Sequence, residues 1–409
     1  MPPRQRILFL TPQLPYPPEQ GTAIRNYNII RNVAARHDVA LLSFVDGPGS
    51  PIDAGPLGGI CSPLRTVPVP SRSTHDRLRT LLTTRASDME RRLKSAAYAR
   101  ALHALLATES FGVLQVEGLE LASYGLLAQR WLGERAPALV FDDHNAEYVL
   151  QKRAFDADVR RLRRWPAAAY SLMQWGRLKG FEGRMCRQAD AVLAVSEADA
   201  KALARLAPEV QPMVVPNGVD ALRYHPDLPD SLPLRHPAIV FTGKMDFRPN
   251  VDAVLWFHKR VWPLVHASVP EAHLYVVGKN PHPRLAPLTR DPGITVTGYV
   301  ADVLPYFGGA DVYIVPLRVG GGTRLKVLEA MAAGLPLVST TLGVEGIGLA
   351  SGQHALLVDD PQGFAQAILS LVRNPRAGRA LGAAARQFAV EHYDWRQIVP
   401  RLDELYASL

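Results

Sequence analysis

Short apolar runs alternate with longer helical stretches along this chain, and the alternation occurs twice. Residues 7–11, 39–44, 66–69, 113–116, 138–141, 191–195 and 213–215 are β-branched or leucine-rich and bounded by Pro, Gly or Asp. This pattern predicts buried strands. Helical segments lie between several of them: residues 24–36 follow Gly21-Thr22, and Ser196 is placed to cap another helix. A second series predicts strands at 239–242, 273–277, 294–296, 312–315, 335–339 and 355–358, with helices at 251–261, 326–333, 364–372 and 376–392. Strand–helix alternation requires parallel sheets covered by helices on both faces. The fold class is therefore α/β, with two doubly wound domains. The expected domains are residues 1–222 and 223–392, joined through the Pro-rich segment 227–237. The final stretch, 393–409, is helical by pattern (Ile398, Leu402, Leu405) and either closes the second domain or crosses back to the first. Residues 46–70, rich in Gly and Pro, read as a loop.

Composition removes other classes. With 47% apolar and 21% charged residues the chain is too hydrophobic to stay disordered. No stretch approaches the roughly 18 consecutive apolar residues of a membrane span. The start, Met1-Pro2-Pro3-Arg4-Gln5-Arg6 followed by four apolar residues, lacks a signal-peptide core. Cys61 and Cys186 form neither a disulfide framework nor a zinc set, so a reducing cytoplasm is expected. The net charge of +8 is local. Residues 151–188 carry ten Lys or Arg (Lys152, Arg153, Arg160, Arg161, Arg163, Arg164, Arg177, Lys179, Arg184, Arg187) interleaved with Trp165, Tyr170, Leu172 and Trp175. Residues 71–94 form a second basic stretch. Two readings remain open: solvated faces of ordinary helices, or a surface for anionic lipid or an anionic acceptor. No motif supports nucleic acid.

Four motifs can carry chemistry. In the first, a strand ending at Val315 leads through Gly320-Gly321-Gly322-Thr323-Arg324 into a helix bearing Lys326 and Glu329. A glycine loop at a helix N-terminus lets backbone N–H groups approach an anion, and Arg324 and Lys326 add charge. Glu329 is spaced to accept from a sugar hydroxyl. The second, Thr242-Gly243-Lys244-Met245-Asp246-Phe247-Arg248, follows another strand, and ligands in open α/β sheets bind at such carboxyl ends. The third is Asp142-Asp143-His144-Asn145, and the fourth Gln20-Gly21-Thr22. No clear carboxylate pair stands out for acid–base work.

Together these residues resemble the retaining GT-B glycosyltransferases of group 1, family 4. Residues 324–333 resemble that family's donor-binding helix. Val276-Val277-Gly278 and Thr297-Gly298-Tyr299-Val300 resemble its base-binding edges. The resemblance implies two Rossmann-like domains facing a cleft, the nucleotide sugar held mainly by the C-terminal one. It implies donor contacts from Gly21, Gly243, Arg248, Gly278, Val300, Gly321, Gly322, Thr323, Arg324 and Glu329. It also implies His144, Lys244 and Lys326 at the reacting centre. Glu329 matches the second Glu of the family's E-x7-E motif; the first is replaced by Gly321. A second basic residue, expected near position 250, is replaced by Asn250, with Arg248, Arg324 or Lys326 as substitutes. The Gly-Gly-Gly-Thr-Arg-Leu-Lys form is shared with an exopolysaccharide-type subgroup.

The expected reaction moves a sugar from a UDP- or GDP-linked donor to a hydroxyl of a glycan or lipid-linked acceptor, with retention and no cofactor or obligatory metal. The expected place is the cytoplasm or the inner face of the membrane. Alternatives are a non-catalytic scaffold binding nucleotide sugar and a GT-B-type nucleotide-sugar epimerase.

Overall fold

In a computed structural model the chain is described at residues 3–19, 21–47, 53–73, 83–159, 162–228, 232–320 and 322–409. Gln20, Arg77, Arg79, Arg160, Arg161 and Gly321 lie outside the described residues. The chain forms two compact units, Met1–Pro216 with Ile398–Leu409, and Asn217–Gln397.

The first unit is built on a seven-stranded sheet, order β3-β2-β1-β4-β5-β6-β7. Its strands are β1 Arg6–Thr11, β2 Asp38–Val45, β3 Cys61–Pro68, β4 Val113–Glu117, β5 Ala138–Asp143, β6 Ala191–Ala194 and β7 Met213–Val214. All pairs are parallel, with Leu8 beside Ala40 on one side and Leu114 on the other. Helices cover both faces, which is why the central strands are near-continuous apolar runs. The 46–70 segment, expected as a loop apart from the strand at 66–69, carries a short helix Leu57–Ile60 and a β3 that already begins at Cys61. That strand is an edge strand, so Pro63 and Pro68 cost it little pairing.

Among the helices of this unit are α1 Gly21–Val33, α2 Glu147–Asp158 and α3 Trp165–Gln188. The N-terminus of α2 is capped from α3, where Glu182 accepts from the backbone N–H of Glu147 (2.7 Å) and Tyr148 (3.0 Å). The strand order reverses direction between β1 and β4, so the loops after these strands diverge and leave a crevice at their carboxyl ends.

The second unit has a six-stranded parallel sheet, order β10-β9-β8-β11-β12-β13. Its strands are β8 Ala238–Thr242, β9 His273–Val277, β10 Ile294–Gly298, β11 Val312–Val315, β12 Leu337–Ser339 and β13 Leu356–Leu357. Its switch point lies between β8 and β11. The helix expected at 251–261 runs Arg248–Trp256, widens into a π-type turn at Phe257–Val261 and resumes at Trp262–Ser268. Pro263 has no N–H for the carbonyl of Lys259, and the ladder loosens there. The helix α4, Leu325–Ala332, follows β11, and α5, Pro375–Tyr393, packs beside it.

The Pro-rich segment expected as the joint is inside the second unit where described, with Leu234 buried in that unit's core. The chain enters at Asn217 and leaves after Gln397, and these two passages pair: Val219 N–H donates to Tyr393 O (2.7 Å) and Trp395 N–H to Val219 O (3.2 Å). The last helix, α6 Pro400–Ser408, belongs to the first unit.

Close backbone approach sets one demand on composition. A Cβ on Gly382 of α5 would lie 2.0 Å from the carbonyl oxygen of Gly334, the turn residue after α4 (φ +73°). Gly382→Ala should therefore lower stability by about 1–3 kcal/mol and the unfolding midpoint by several degrees. Thermal unfolding followed by circular dichroism measures this.

Candidate functional sites

Both switch-point crevices collect polar side chains. In the second unit the central one is Lys326, on the first turn of α4. Its ammonium donates to the Thr242 carbonyl at the end of β8 (2.5 Å) and to Asn250 Oδ1 (2.9 Å), and lies 4.2 Å from the Phe241 ring centroid. Asn250 is oriented in turn by donating through Nδ2 to Lys244 O (2.9 Å). Two glycines make room. A Cβ on Gly243 (φ +155°) would meet Lys326 Nζ at 2.6 Å, and one on Gly278 (φ +151°) would meet Gly243 O at 1.7 Å. Burial, reinforced by Arg324 and opposed by Glu329, lowers the Lys326 pKa to about 7.

The other expected donor residues sit around this lysine or on the same sheet end. Glu329, one turn along α4, accepts from the Tyr224 hydroxyl (3.2 Å); burial raises its pKa against the pull of Tyr224 and Lys326. Arg324 donates to Gly322 O (2.6 Å), holding the loop that precedes α4, in which Gly320 and Gly322 have φ of +119° and +80°. Thr323 faces Gly346, where a Cβ would come within 3.5 Å of its hydroxyl. Lys244 is exposed and 3.6 Å from Asp246, and Arg248 is exposed at the start of its helix. Val300 packs against the core after β10, next to exposed Tyr299.

In the first unit His144 follows β5, and Gly21 opens α1. His144 Nε2 lies 2.9 Å from Glu117 Oε2, at the end of β4. Asp142 is beside them, gripped by Arg25 of α1 through bonds of 2.8, 2.9 and 3.0 Å, while Arg25 also donates to Pro216 O (3.2 Å). One atom each of Glu117, Asp142 and His144 falls within 4.8 Å of the others. A metal ion could use that spacing; each of the three side chains also has a protein partner, Arg25 on Asp142 and Gln115 and His144 on Glu117. Glu117 is raised in pKa by burial and by Asp142. Burial disfavours the charged imidazole of His144, but the Glu117 hydrogen bond and the charges of Asp142 and Glu117 outweigh it, and its pKa is raised.

A carboxylate pair does exist, in Glu117 and Asp142. The sequence reading also missed Arg25 and Glu117 altogether. Its available signal was Val113-Leu114-Gln115-Val116-Glu117, in which Gln115 and Glu117 put polar groups on one face of a strand with no exposed face.

A family profile described as Glycosyltransferase Family 4 matches residues 20–223, and one described as Glycosyl transferases group 1 matches residues 236–374. A GDP-mannose-dependent alpha-(1-6)-phosphatidylinositol monomannoside mannosyltransferase of Mycolicibacterium smegmatis is 28% identical over 216 residues, 47% of this chain and 56% of that protein. An alpha-maltose-1-phosphate synthase of the same organism is 26% identical over 285 residues, 61% of this chain and 70% of that protein. The chain spans about half the length of the curated relatives it matches, 56%, 47% and 51% of the first three. Among solved structures, sucrose-phosphate synthase from Thermosynechococcus elongatus aligns with a TM-score of 0.72 at 18% identity over 99% of both chains. Anabaena HepE in complex with UDP and glucose aligns at 0.67 and 15% identity, over 99% of this chain and 100% of that one.

The buried lysine makes stability depend on pH in a definite sense. Folded Lys326 loses its proton near pH 7, while the unfolded chain holds it to about 10.4. Between these values the unfolded state binds more protons, so raising the pH favours folding. The wild type should therefore gain stability relative to Lys326→Met between pH 7 and 10, as read by denaturant unfolding of both proteins at each pH.

Proposed function

The chain belongs to the group 1 glycosyltransferases of the GT-B fold, and we propose that it moves a sugar from a nucleoside diphosphate sugar to an acceptor hydroxyl with retention of configuration. The observation that carries the reading is the half-desolvated ammonium of Lys326 at a switch point, among Gly243, Asn250 and the Gly322-Thr323-Arg324 loop. A diphosphate arriving there brings the negative charge that restores the lysine's proton. Glu329 offers a carboxylate to the ribose hydroxyls of the nucleoside.

In the reaction the bond between the sugar C1 and the diphosphate oxygen breaks and the bond from C1 to the acceptor oxygen forms on the same face. The acceptor proton passes to the departing phosphate oxygen. Negative charge grows on the leaving group, and Lys326, Lys244, Arg324 and the loop N–H groups stabilise it more in the transition state than in the ground state. His144 is assigned to orienting the sugar or the acceptor. These cations stand where a metal ion would otherwise be needed, so turnover should survive chelation. UDP and GDP are both candidate carriers: HepE was crystallised with UDP, and the mannosyltransferase relative is named for GDP-mannose.

The acceptor is assigned to cell-surface glycan or glycolipid, reached at the inner face of the membrane. Among the described residues no helix is long and apolar enough to cross a bilayer. Where α2 and α3 meet, Val159, Trp165, Tyr170 and Leu172 are exposed, Trp165 at 56%, beside exposed Lys152, Arg153, Arg163 and Arg164. Aromatic and aliphatic side chains among cations suit an anionic lipid surface.

Thermal unfolding with UDP, GDP, ADP and dTDP separates the carriers. A ligand at about 100 times its Kd adds roughly 2.7 kcal/mol, a shift of several degrees. One nucleotide should shift the wild type and not Glu329→Ala, and its sugar conjugates should then release nucleotide in an acceptor-dependent way. A shift without any transfer would favour a scaffold, and an epimer formed without acceptor would favour an epimerase. For the membrane assignment, the protein should float with phosphatidylglycerol vesicles at low salt, leave them at high salt, and lose binding in Trp165→Ser. Binding indifferent to salt, or to that substitution, refutes the assignment.

A further inference from the structure

We infer that Tyr406, Gln115 and Glu117 form a buried relay that fixes the tautomer and orientation of His144, so that the end of the chain positions the histidine of the first unit. Its kinetic consequence rests on the role proposed above for His144; the relay itself does not.

The relay is continuous. The Tyr406 hydroxyl, on α6, donates to Gln115 Oε1. Gln115 Nε2 donates to Glu117 Oε1 (2.7 Å), and Glu117 Oε2 meets His144 Nε2 (2.9 Å). Tyr406, Gln115 and Glu117 are all fully buried. The Asn26 amide, in the orientation that satisfies both of its ends, donates to Glu117 Oε2 (2.9 Å) and to Thr22 O (3.3 Å).

Each link dictates the next. A phenol donating to Gln115 holds the amide oxygen toward Tyr406 and turns the amide NH2 toward Glu117. Glu117 then receives donors from Gln115, Asn26 and His144 on two oxygens, an arrangement that suits an ionised carboxylate. An ionised Glu117 requires a proton on Nε2 of His144, which leaves Nδ1 as the nitrogen for other partners. Nδ1 borders Gly118 (φ +87°), where a Cβ would lie 3.7 Å away. The charged groups around the ring are Glu117 on β4, Asp142 on β5, Arg25 on α1 and Glu147 on α2.

Tyr406 is itself held in register. Asp403, one turn earlier on α6, accepts from His37 Nε2 (3.2 Å) and from Arg36, just after α1. His37 Nδ1 accepts from the Gln5 N–H (3.1 Å), which leaves its proton on Nε2 to face Asp403. His37 also packs edge-on against the Tyr406 ring, centroids 5.6 Å apart.

The test is the nitrogen chemical shifts of His144 in 15N-histidine-labelled full-length protein, assigned with His144→Gln and followed through a pH titration. In the wild type the neutral ring should be protonated at Nε2 alone. In Tyr406→Phe the Gln115 amide is free to turn its oxygen toward Glu117, the carboxyl takes up a proton more readily, and an imidazolium is held less well. The titration midpoint should then fall and the Nδ1-protonated form should appear. Glu117→Gln should lower the midpoint further, by about one unit or more. Gln115→Met cuts the relay without touching α6 and should reproduce the Tyr406→Phe result if that variant loosens the helix. Unchanged His144 shifts in folded Tyr406→Phe and Gln115→Met overturn the inference.

The kinetic arm separates positioning from general support. Tyr406→Phe should lower kcat about tenfold, the lower end of the loss seen when a group that orients a metal-bound histidine is removed, with donor KM little changed. It should cost nothing more in a His144→Ala background. Equal losses in both backgrounds would make Tyr406 merely structural and overturn the inference. Should His144→Ala leave transfer intact while the nitrogen shifts respond as expected, the relay stands and the role proposed for His144 falls.

Discussion

The pairing of Arg25 with Asp142 is the constraint on which the polar cluster of the first unit depends. Both side chains are almost wholly buried, at 2% and 0% exposed. A guanidinium taken out of water needs a geometry that satisfies its fork, and Asp142 supplies both oxygens. Removing either partner of such a pair typically costs about 3–5 kcal/mol, because the other charge is left buried alone. With Asp142 neutralised by Arg25, the second acid in the crevice, Glu117, is free to pair with His144. Were Arg25 absent, two adjacent carboxylates would compete for one imidazole proton and neither could hold a defined charge. The pair also ties α1 to the end of β5, and through Pro216 O to the last residue before the chain enters the second unit.

The second unit solves the opposite problem. Among the described residues its crevice holds a cation with no carboxylate in hydrogen-bond contact, and Lys326 rests instead on a carbonyl and an amide oxygen. Neutral acceptors offset part of the desolvation but not all of it, so the ammonium gives up its proton near neutrality. A fully charged lysine would attract any anion. One poised near pH 7 is only partly charged, and an anion placed beside it would raise its pKa and complete the charge.

The fold was legible because burial on both faces of a parallel strand leaves a simple trace, an uninterrupted apolar run. The lysine site was legible for a related reason: glycines clustered before a helix are hard to explain by packing alone. What escaped was everything that depends on strand order. Gln115, Glu117, Asp142, Arg25 and Tyr406 are brought together by β1, β4 and β5 lying side by side, with α6 returning 291 residues after Gln115. Periodicity shows that β4 is buried, but not which strand is its neighbour. Only the last residues of the edge strand β3 were legible, as the run 66–69, since Pro63 interrupts the rest of a strand whose outer side needs no partners.

Asn250 shows where motif reading stops and geometry begins. At that position the family pattern leads one to expect a second cation, and in sequence the amide is a loss. In space the amide oxygen carries the ammonium of Lys326, which comes from a helix 76 positions later in the chain. A diphosphate responds to where positive charge stands and to how dry its surroundings are. It does not respond to which strand or helix delivered the charge. Lys326, delivered from α4, places a cation in this crevice, and Asn250 is a residue that holds it there. The same reasoning bears on Gly321. The departure of a glutamate from that loop removes a contact only if no other side chain reaches the position it would have served.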